Sequence, residues 1–198
     1  MAGSIFLLFI WVIWIFATFL MDKQEVHRRT LAIFALVMII CLPIKLSLNG
    51  FMISGQSLVV LITCYLIIVK LSFKKQVVLL IAVLSLILGY TGARLFELFD
   101  PILMIVDRKI LLSFILIVMS YIVYPFNFLE RALFICLGVL QGDFLLAIIL
   151  SKWEIPYVIG SLEILDILSI TIFTMIISYI FSKILVLMRV NKNKKVLH

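Results

Sequence analysis

Asp143, Glu163 and Asp166 fall inside or at the edge of stretches that are otherwise almost pure hydrocarbon. A carboxylate in lipid hydrocarbon is unfavourable by at least about 2.5–3.5 kcal/mol, so it persists where it has a partner, water or a task. Glu163 and Asp166 are three residues apart, which on a helix sets them on neighbouring parts of one face. Arg94, Glu97 and Asp100 form a second short charged run, and Arg94 is a natural counter-ion for Asp143, Glu163 or Asp166. These six residues make a candidate polar cluster. Two chemistries are open to it. One is the handling of a small solute or a proton; the other is hydrolysis, with Asp143 and Asp166 sharing a proton and activating water.

The hydrolytic alternative has a local motif to test. Gly142-Asp143 resembles the glycine-aspartate step of intramembrane aspartyl proteases, whose motif has two glycines before the aspartate with one residue between them. Here Leu140 stands in the earlier position, so the pattern is broken. Histidine chemistry has no foothold in a span, because His27 lies in a basic loop and His198 is the last residue. Cys41, Cys64 and Cys136 share no metal or redox spacing and read as packing residues. No cofactor and no metal site is expected.

What must position these groups is set by composition. Of 198 residues, 66% are hydrophobic and 14% are charged, and the mean hydropathy is +1.34. Soluble domains are about 45–50% apolar and about 25% charged; a water-facing surface cannot be built from this chain. The apolar stretches are continuous and lack barrel-like alternation, which leaves helices as the way to satisfy the backbone in lipid. At the usual length of about 20 residues per crossing, the sequence predicts seven transmembrane helices, at 4–21, 31–48, 54–71, 76–93, 109–127, 130–150 and 163–187. Residues 1–188 form a single bundle, and 189–198 a short basic cytoplasmic tail. The first stretch lacks a basic run before it and is read as a retained span rather than a signal peptide.

Net charge is +7. Placed between apolar runs, it faces lipid headgroups rather than nucleic acid. Counting Lys and Arg on alternate sides of the seven spans gives twelve on the side of Lys23, Lys75 and Arg131 and five on the other. The richer side is cytoplasmic by the positive-inside tendency. The N-terminus is then outside and the C-terminus inside.

Several segments leave more than one reading open. Residues 94–108 are amphipathic up to Pro101 and fit either an interfacial helix or an extension of the fourth span, with a re-entrant segment as a further variant. In the seventh span Glu163, Asp166, Thr171, Thr174, Ser178 and Ser182 share about half of the helix circumference, as one wall of a polar path or as hydrogen-bonding glue between helices. Gly138 and Gly142 form a GxxxG pair suited to close helix packing.

The opening Ile5-Phe-Leu-Leu-Phe-Ile-Trp-Val-Ile-Trp-Ile-Phe16 and the segment from Arg94 to Pro101 resemble the YphA-type integral membrane proteins of bacilli. The resemblance spans essentially the whole chain. It implies a bacterial inner-membrane location and supplies neither an activity nor functional residues. The expectation is therefore an all-α, multi-pass helix bundle in a bacterial cell membrane. Its partners are the lipid bilayer and either a membrane protein or a second copy of itself. It serves solute or ion handling, or helps a larger complex, with no inverted repeat of the kind that frames many transport sites.

Overall fold

A computed structural model describes residues 2–48, 50–99, 107–124 and 127–196. Most of them are helical. Helices α1 (Ser4–Ile15), α2 (Val26–Ile40), α3 (Gly55–Ile68), α4 (Phe73–Phe99), α5 (Arg108–Val123), α6 (Phe128–Ser151) and α7 (Leu162–Val196) follow in order, with a wide π-helical turn over Phe16–Leu20 extending α1. Among the described residues three helices, Phe73–Phe99, Phe128–Ser151 and Leu162–Leu185, are by length and composition long and apolar enough to cross a membrane. The helix of α2 is 15 residues long, about 22 Å at 1.5 Å per residue, and so shorter than the hydrocarbon layer of about 30 Å.

The second predicted span, 31–48, is corrected beyond Ile40. The helix stops at Ile40 and Lys45–Leu48 is a strand, β1. Pro43 accounts for the stop, since it lacks an N–H and disfavours helix in the residue before it. β1 pairs antiparallel with β2 (Phe51–Ser54), Leu48 opposite Phe51. Gly50 between them has φ 85°, a conformation natural to glycine. A two-residue strand, β3 (Val158–Ile159), adds to β2 in parallel through Met52↔Val158 and Ile53↔Ile159. The result is a small β1-β2-β3 sheet at one end of the bundle, called here the sheet end. At the other boundary in question, α4 continues unbroken to Phe99, so residues 94–99 extend the fourth helix. Asp100 and Pro101 lie outside the described residues.

Contacts fix the helix directions. Gly138 and Gly142 of α6 meet Leu86 and Tyr90 of α4 in the same order, so these two helices run parallel. Likewise Arg108, Lys109 and Ser113 of α5 meet Glu163, Asp166 and Ile167 of α7 in order. Gly3 and Phe9 of the first segment meet Asp166 and Phe173. In α3, Ser57 lies at Gly160 and Tyr65 at Gln141, which sets it antiparallel to α6. With Arg28 at the start of α2 against Ala17 and Thr18 at the end of the first helix, and Tyr124 at the end of α5 against Glu130 at the start of α6, α1, α3, α5 and α7 point one way and α2, α4 and α6 the other.

α6 is the central post. Phe134, Ile135, Val139 and Leu146 have no exposed surface, and Leu140 and Leu150 almost none. The two glycines explain how α4 can lie so close. A Cβ on Gly138 would stand 2.4 Å from Leu86 Cδ2, and one on Gly142 would stand 2.8 Å from Tyr90 Cδ1. Without a side chain at either position, backbones approach and dispersion contacts add up along the seam.

Candidate functional site

The polar cluster collects at the sheet end, and its geometry begins with Asp143. This residue is fully buried in α6, eight residues before the helix ends at Ser151. Its Oδ2 accepts the backbone N–H of Gly160 at 2.7 Å, and its Oδ1 accepts the phenolic O–H of Tyr157. Tyr157 sits in the connection after Pro156 and also hydrogen-bonds Arg94. Burial pushes the Tyr157 phenol above its ordinary range, and the neighbouring Asp143 carboxylate pushes it the same way. The hydroxyl therefore stays a donor at neutral pH.

Gly160 is the pivot of the connection. It has φ 65°, and a Cβ there would lie 2.2 Å from Ser57 Cβ. Its carbonyl accepts the Ser54 hydroxyl at 2.5 Å. Ser54 also accepts from the Ser57 N–H at the start of α3, an N-cap. One glycine thus joins α6, α3 and the sheet.

Arg94 pairs with Glu97 of its own helix at 2.6 Å rather than directly with Asp143, Glu163 or Asp166. The i,i+3 spacing brings the two heads together without any tertiary movement. Glu97 is also paired with Arg108, and Arg108 reaches Glu163 at 3.1 Å. Asp143, Tyr157, Arg94, Glu97, Arg108 and Glu163 consequently form one chain of contacts from α6 to α7. Its inner members are buried, whereas Arg108 and Glu163 are about half exposed.

Asp166 belongs to a different arrangement. It has no exposed surface; its Oδ2 accepts from the Gly3 N–H at 2.8 Å and its Oδ1 from the Phe6 N–H at 2.8 Å. Lys109 Nζ lies 2.5 Å from Oδ2. This carboxylate caps α1 from across the fold, where the first N–H groups lack helical acceptors and the helix dipole favours an anion. The other end of the same helix receives a cation: Arg28 donates to the carbonyls of Ala17 at 3.0 Å and Thr18 at 2.7 Å. Asp143 and Asp166 therefore have separate partners.

Sequence reasoning named Arg94, Glu97, Asp143, Glu163 and Asp166 but did not single out Tyr157, Gly160, Arg108 or Lys109. Arg108 and Lys109 were visible as charges; Tyr157 and Gly160 carry no charge, and only the turn signal of Pro156 and Gly160 marks their segment. The hydroxyl stripe of α7 turns inward on its own backbone: Thr171 donates to Ile167 O, Thr174 to Ile170 O and Ser182 to Tyr179 O. The bond that crosses between helices here comes from Ser113, to Ile167 O at 3.2 Å. Two donors of the cluster, the Tyr90 hydroxyl and Arg94 Nε, are buried with no hydrogen-bond partner among the described residues.

The opposite end has its own clamp. Buried Glu130 is 2.6 Å from Lys75 Nζ and accepts the Tyr124 O–H at 3.1 Å, tying the starts of α4 and α6 to the end of α5. Among the described residues no three His, Cys, Asp or Glu side chains are grouped to hold a metal ion.

No curated protein and no solved structure matches the chain. A family model described as YphA-like integral membrane protein matches residues 2–197. With apolar helices of spanning length inside that match, the chain belongs to the YphA-like integral membrane protein family.

Proposed function

We propose that the protein crosses the bacterial cytoplasmic membrane seven times, with its N-terminus and sheet end outside and its basic C-terminus inside. It acts by holding a membrane partner, another protein or a second copy of itself, rather than by catalysis. The alternation of seven helix directions supports the crossing number, and the twelve-to-five bias of Lys and Arg supports the orientation. Helices as short as α2 and α3 fit a crossing when the sheet strands extend them at one end and the Gln76 amide satisfies the Ile68 and Leu71 carbonyls at the other end of α3.

The observation that carries the binding reading is the use to which the buried carboxylates are put. Asp143 and Asp166 each accept a backbone N–H together with a side-chain donor, and Glu97 is held between two arginines. Groups so engaged close one end of a bundle; they do not present a ligand set to a passing solute. Hydrolysis by Asp143 and Asp166 draws no support from this geometry, because a shared proton requires the two carboxylates to be each other's neighbours.

Solute or ion handling has one observation in its favour, the unpartnered Tyr90 hydroxyl and Arg94 Nε beside the cluster. One experiment separates the readings. The protein is purified in mild detergent and reconstituted, and proton and solute flux are compared for wild type and Asp143→Asn. Co-purification of a stoichiometric membrane partner, or a stable homo-oligomer, with no flux in either form supports partner binding. Flux that disappears in a folded Asp143→Asn protein replaces it with transport.

A further inference from the structure

Helices α1, α2, α3, α6 and α7 enclose a cavity of about 210 Å³. Its wall brings together Phe6 and Phe9 of α1, Phe34 of α2, Cys64 of α3, Cys136 of α6 and Ser169 of α7, with aliphatic side chains between them. Among the described residues no charged side chain lines it. Cys136 is eight residues past the start of α6 and Ser169 seven past the start of α7, about 12 Å and 10 Å along two helices that run in opposite directions. The cavity therefore lies toward the middle of the bundle, and a molecule reaches it through hydrocarbon.

The few polar groups on this wall are not equivalent. The Thr63 hydroxyl donates to Val59 O at 2.7 Å, and the Cys64 and Cys136 thiols hydrogen-bond each other. Ser169 differs. It is 4% exposed, it borders the cavity, and among the described residues its hydroxyl has no hydrogen-bond partner. A hydroxyl kept from both water and protein acceptors forgoes a bond it makes in the unfolded chain. Water is a poor substitute in this place, because a buried water needs two to four polar partners and the wall has one to spare.

Three requirements follow for an occupant. It must dissolve in hydrocarbon, it must be neutral, and it must accept one hydrogen bond well inside the membrane. A phospholipid acyl chain fails the third, since its ester carbonyls stay near the headgroups. A quinone ring meets all three: it is uncharged, its carbonyl oxygens accept, and its flat face suits the aromatic wall of Phe6, Phe9 and Phe34. We infer that this cavity binds the head ring of a lipid-soluble quinone, one carbonyl accepting the Ser169 O–H and the apolar tail running out past Leu129. That residue is on the wall and half exposed. The cavity is smaller than the roughly 300–1,000 Å³ of sites that enclose a whole small molecule, as it should be for a ring whose tail stays in the bilayer. The assignment stands apart from the holding of a protein partner.

The test uses the full chain in mild detergent. Decylubiquinone, whose ring is fully substituted and cannot alkylate thiols, is compared with dodecylbenzene, which has a ring and a tail but no acceptor. Retention is read by native mass spectrometry and by thermal unfolding. Slow labelling of Cys64 and Cys136 by N-ethylmaleimide reports occupancy, with Cys41, which is outside the cavity wall and partly exposed, as internal control. The expected result is saturable retention of one decylubiquinone, a rise in Tm, and protection of Cys64 and Cys136 but not Cys41. Ser169→Ala should weaken decylubiquinone about 2- to 10-fold, as for the loss of one neutral hydrogen bond, and leave dodecylbenzene unchanged. Ala132→Phe, which fills the cavity, should abolish retention and protection together; if it fails to fold, Val60→Phe is read in its place. Equal retention of the two probes, unchanged affinity for decylubiquinone in Ser169→Ala, or undiminished protection in the filled variant would each overturn the assignment.

Discussion

Asp166 and Phe6 are 160 residues apart in the chain, yet the aspartate's Oδ1 accepts the Phe6 backbone N–H at 2.8 Å, with Lys109 on the other carboxylate oxygen. Asparagine at 166 removes the charge facing Lys109 and one of the two oxygens that accept the Gly3 and Phe6 N–H groups at the first turn of α1. Asp166→Asn is expected to lower stability by about 3–5 kcal/mol, the range for breaking one partner of a buried pair. In a double-mutant cycle with Lys109→Met the two losses should fall well short of adding. Unfolding in detergent with a graded denaturant measures both.

Gly160 combines a positive φ with the closest approach to a neighbour, 2.2 Å from a built Cβ to Ser57 Cβ. Gly160→Ala should destabilise by more than about 3 kcal/mol, since conformational strain and overpacking act together. Gly89→Ala is the control. Nothing lies within 4 Å of a Cβ there, and helix propensity predicts a change of no more than about 1 kcal/mol, in the stabilising direction.

At the α4–α6 seam, Gly138→Ala drives a methyl into Leu86 and should be destabilising by about 1–3 kcal/mol. Leu86→Ala alone creates a void and is destabilising too. The pair together should recover part of the loss, because the new methyl enters the space the leucine vacates. Thermal unfolding of the four proteins reads the coupling; strict additivity would show that the seam tolerates the alanine by moving apart.

The Tyr157–Asp143 bond should give the protein an alkaline limit. The Tyr157 phenol is raised above its ordinary value of about 10 by burial and by Asp143. The folded state thus holds that proton more tightly than the unfolded one. Its stabilisation is complete below about pH 10 and declines as pH rises through the folded value. Tyr157→Phe should be less stable than wild type at pH 7 by about 1–3 kcal/mol. The gap should narrow above about pH 10. A gap constant to pH 11 in thermal melts would mean that the phenol is not the group responsible.

Much of this molecule was legible from hydropathy because a membrane protein writes its class in its side chains. Asp143 and Asp166 stood out for the same reason: a carboxylate among leucines needs a partner. Which partner was not legible, since Asp166 meets Gly3 and Phe6 only after the whole chain has folded, and no local pattern encodes a cap supplied from 160 residues away. Arg94 misled in an instructive way, because its nearest acid in sequence, Glu97, is also its nearest in space. The strands escaped notice because Lys45–Ser54 joins two apolar runs and its alternation covers only four residues on each side. Asn49-Gly50 was the available signal, a strong hairpin dipeptide. Tyr157 stands in a connection and carries no charge, so neither hydropathy nor charge placement marks it.

The cap that Asp166 places on Gly3, 163 residues upstream, also sets an order of events. At elongation rates of about 5–20 residues per second, roughly eight to thirty seconds separate the synthesis of the first turn of α1 from that of its acceptor. During that interval the first helix has its Arg28 end secured, by a residue made moments later, while its leading N–H groups await a carboxylate still on the ribosome. The N-terminal turn of α1 is thus completed only after α7 has been made, well after α1 itself.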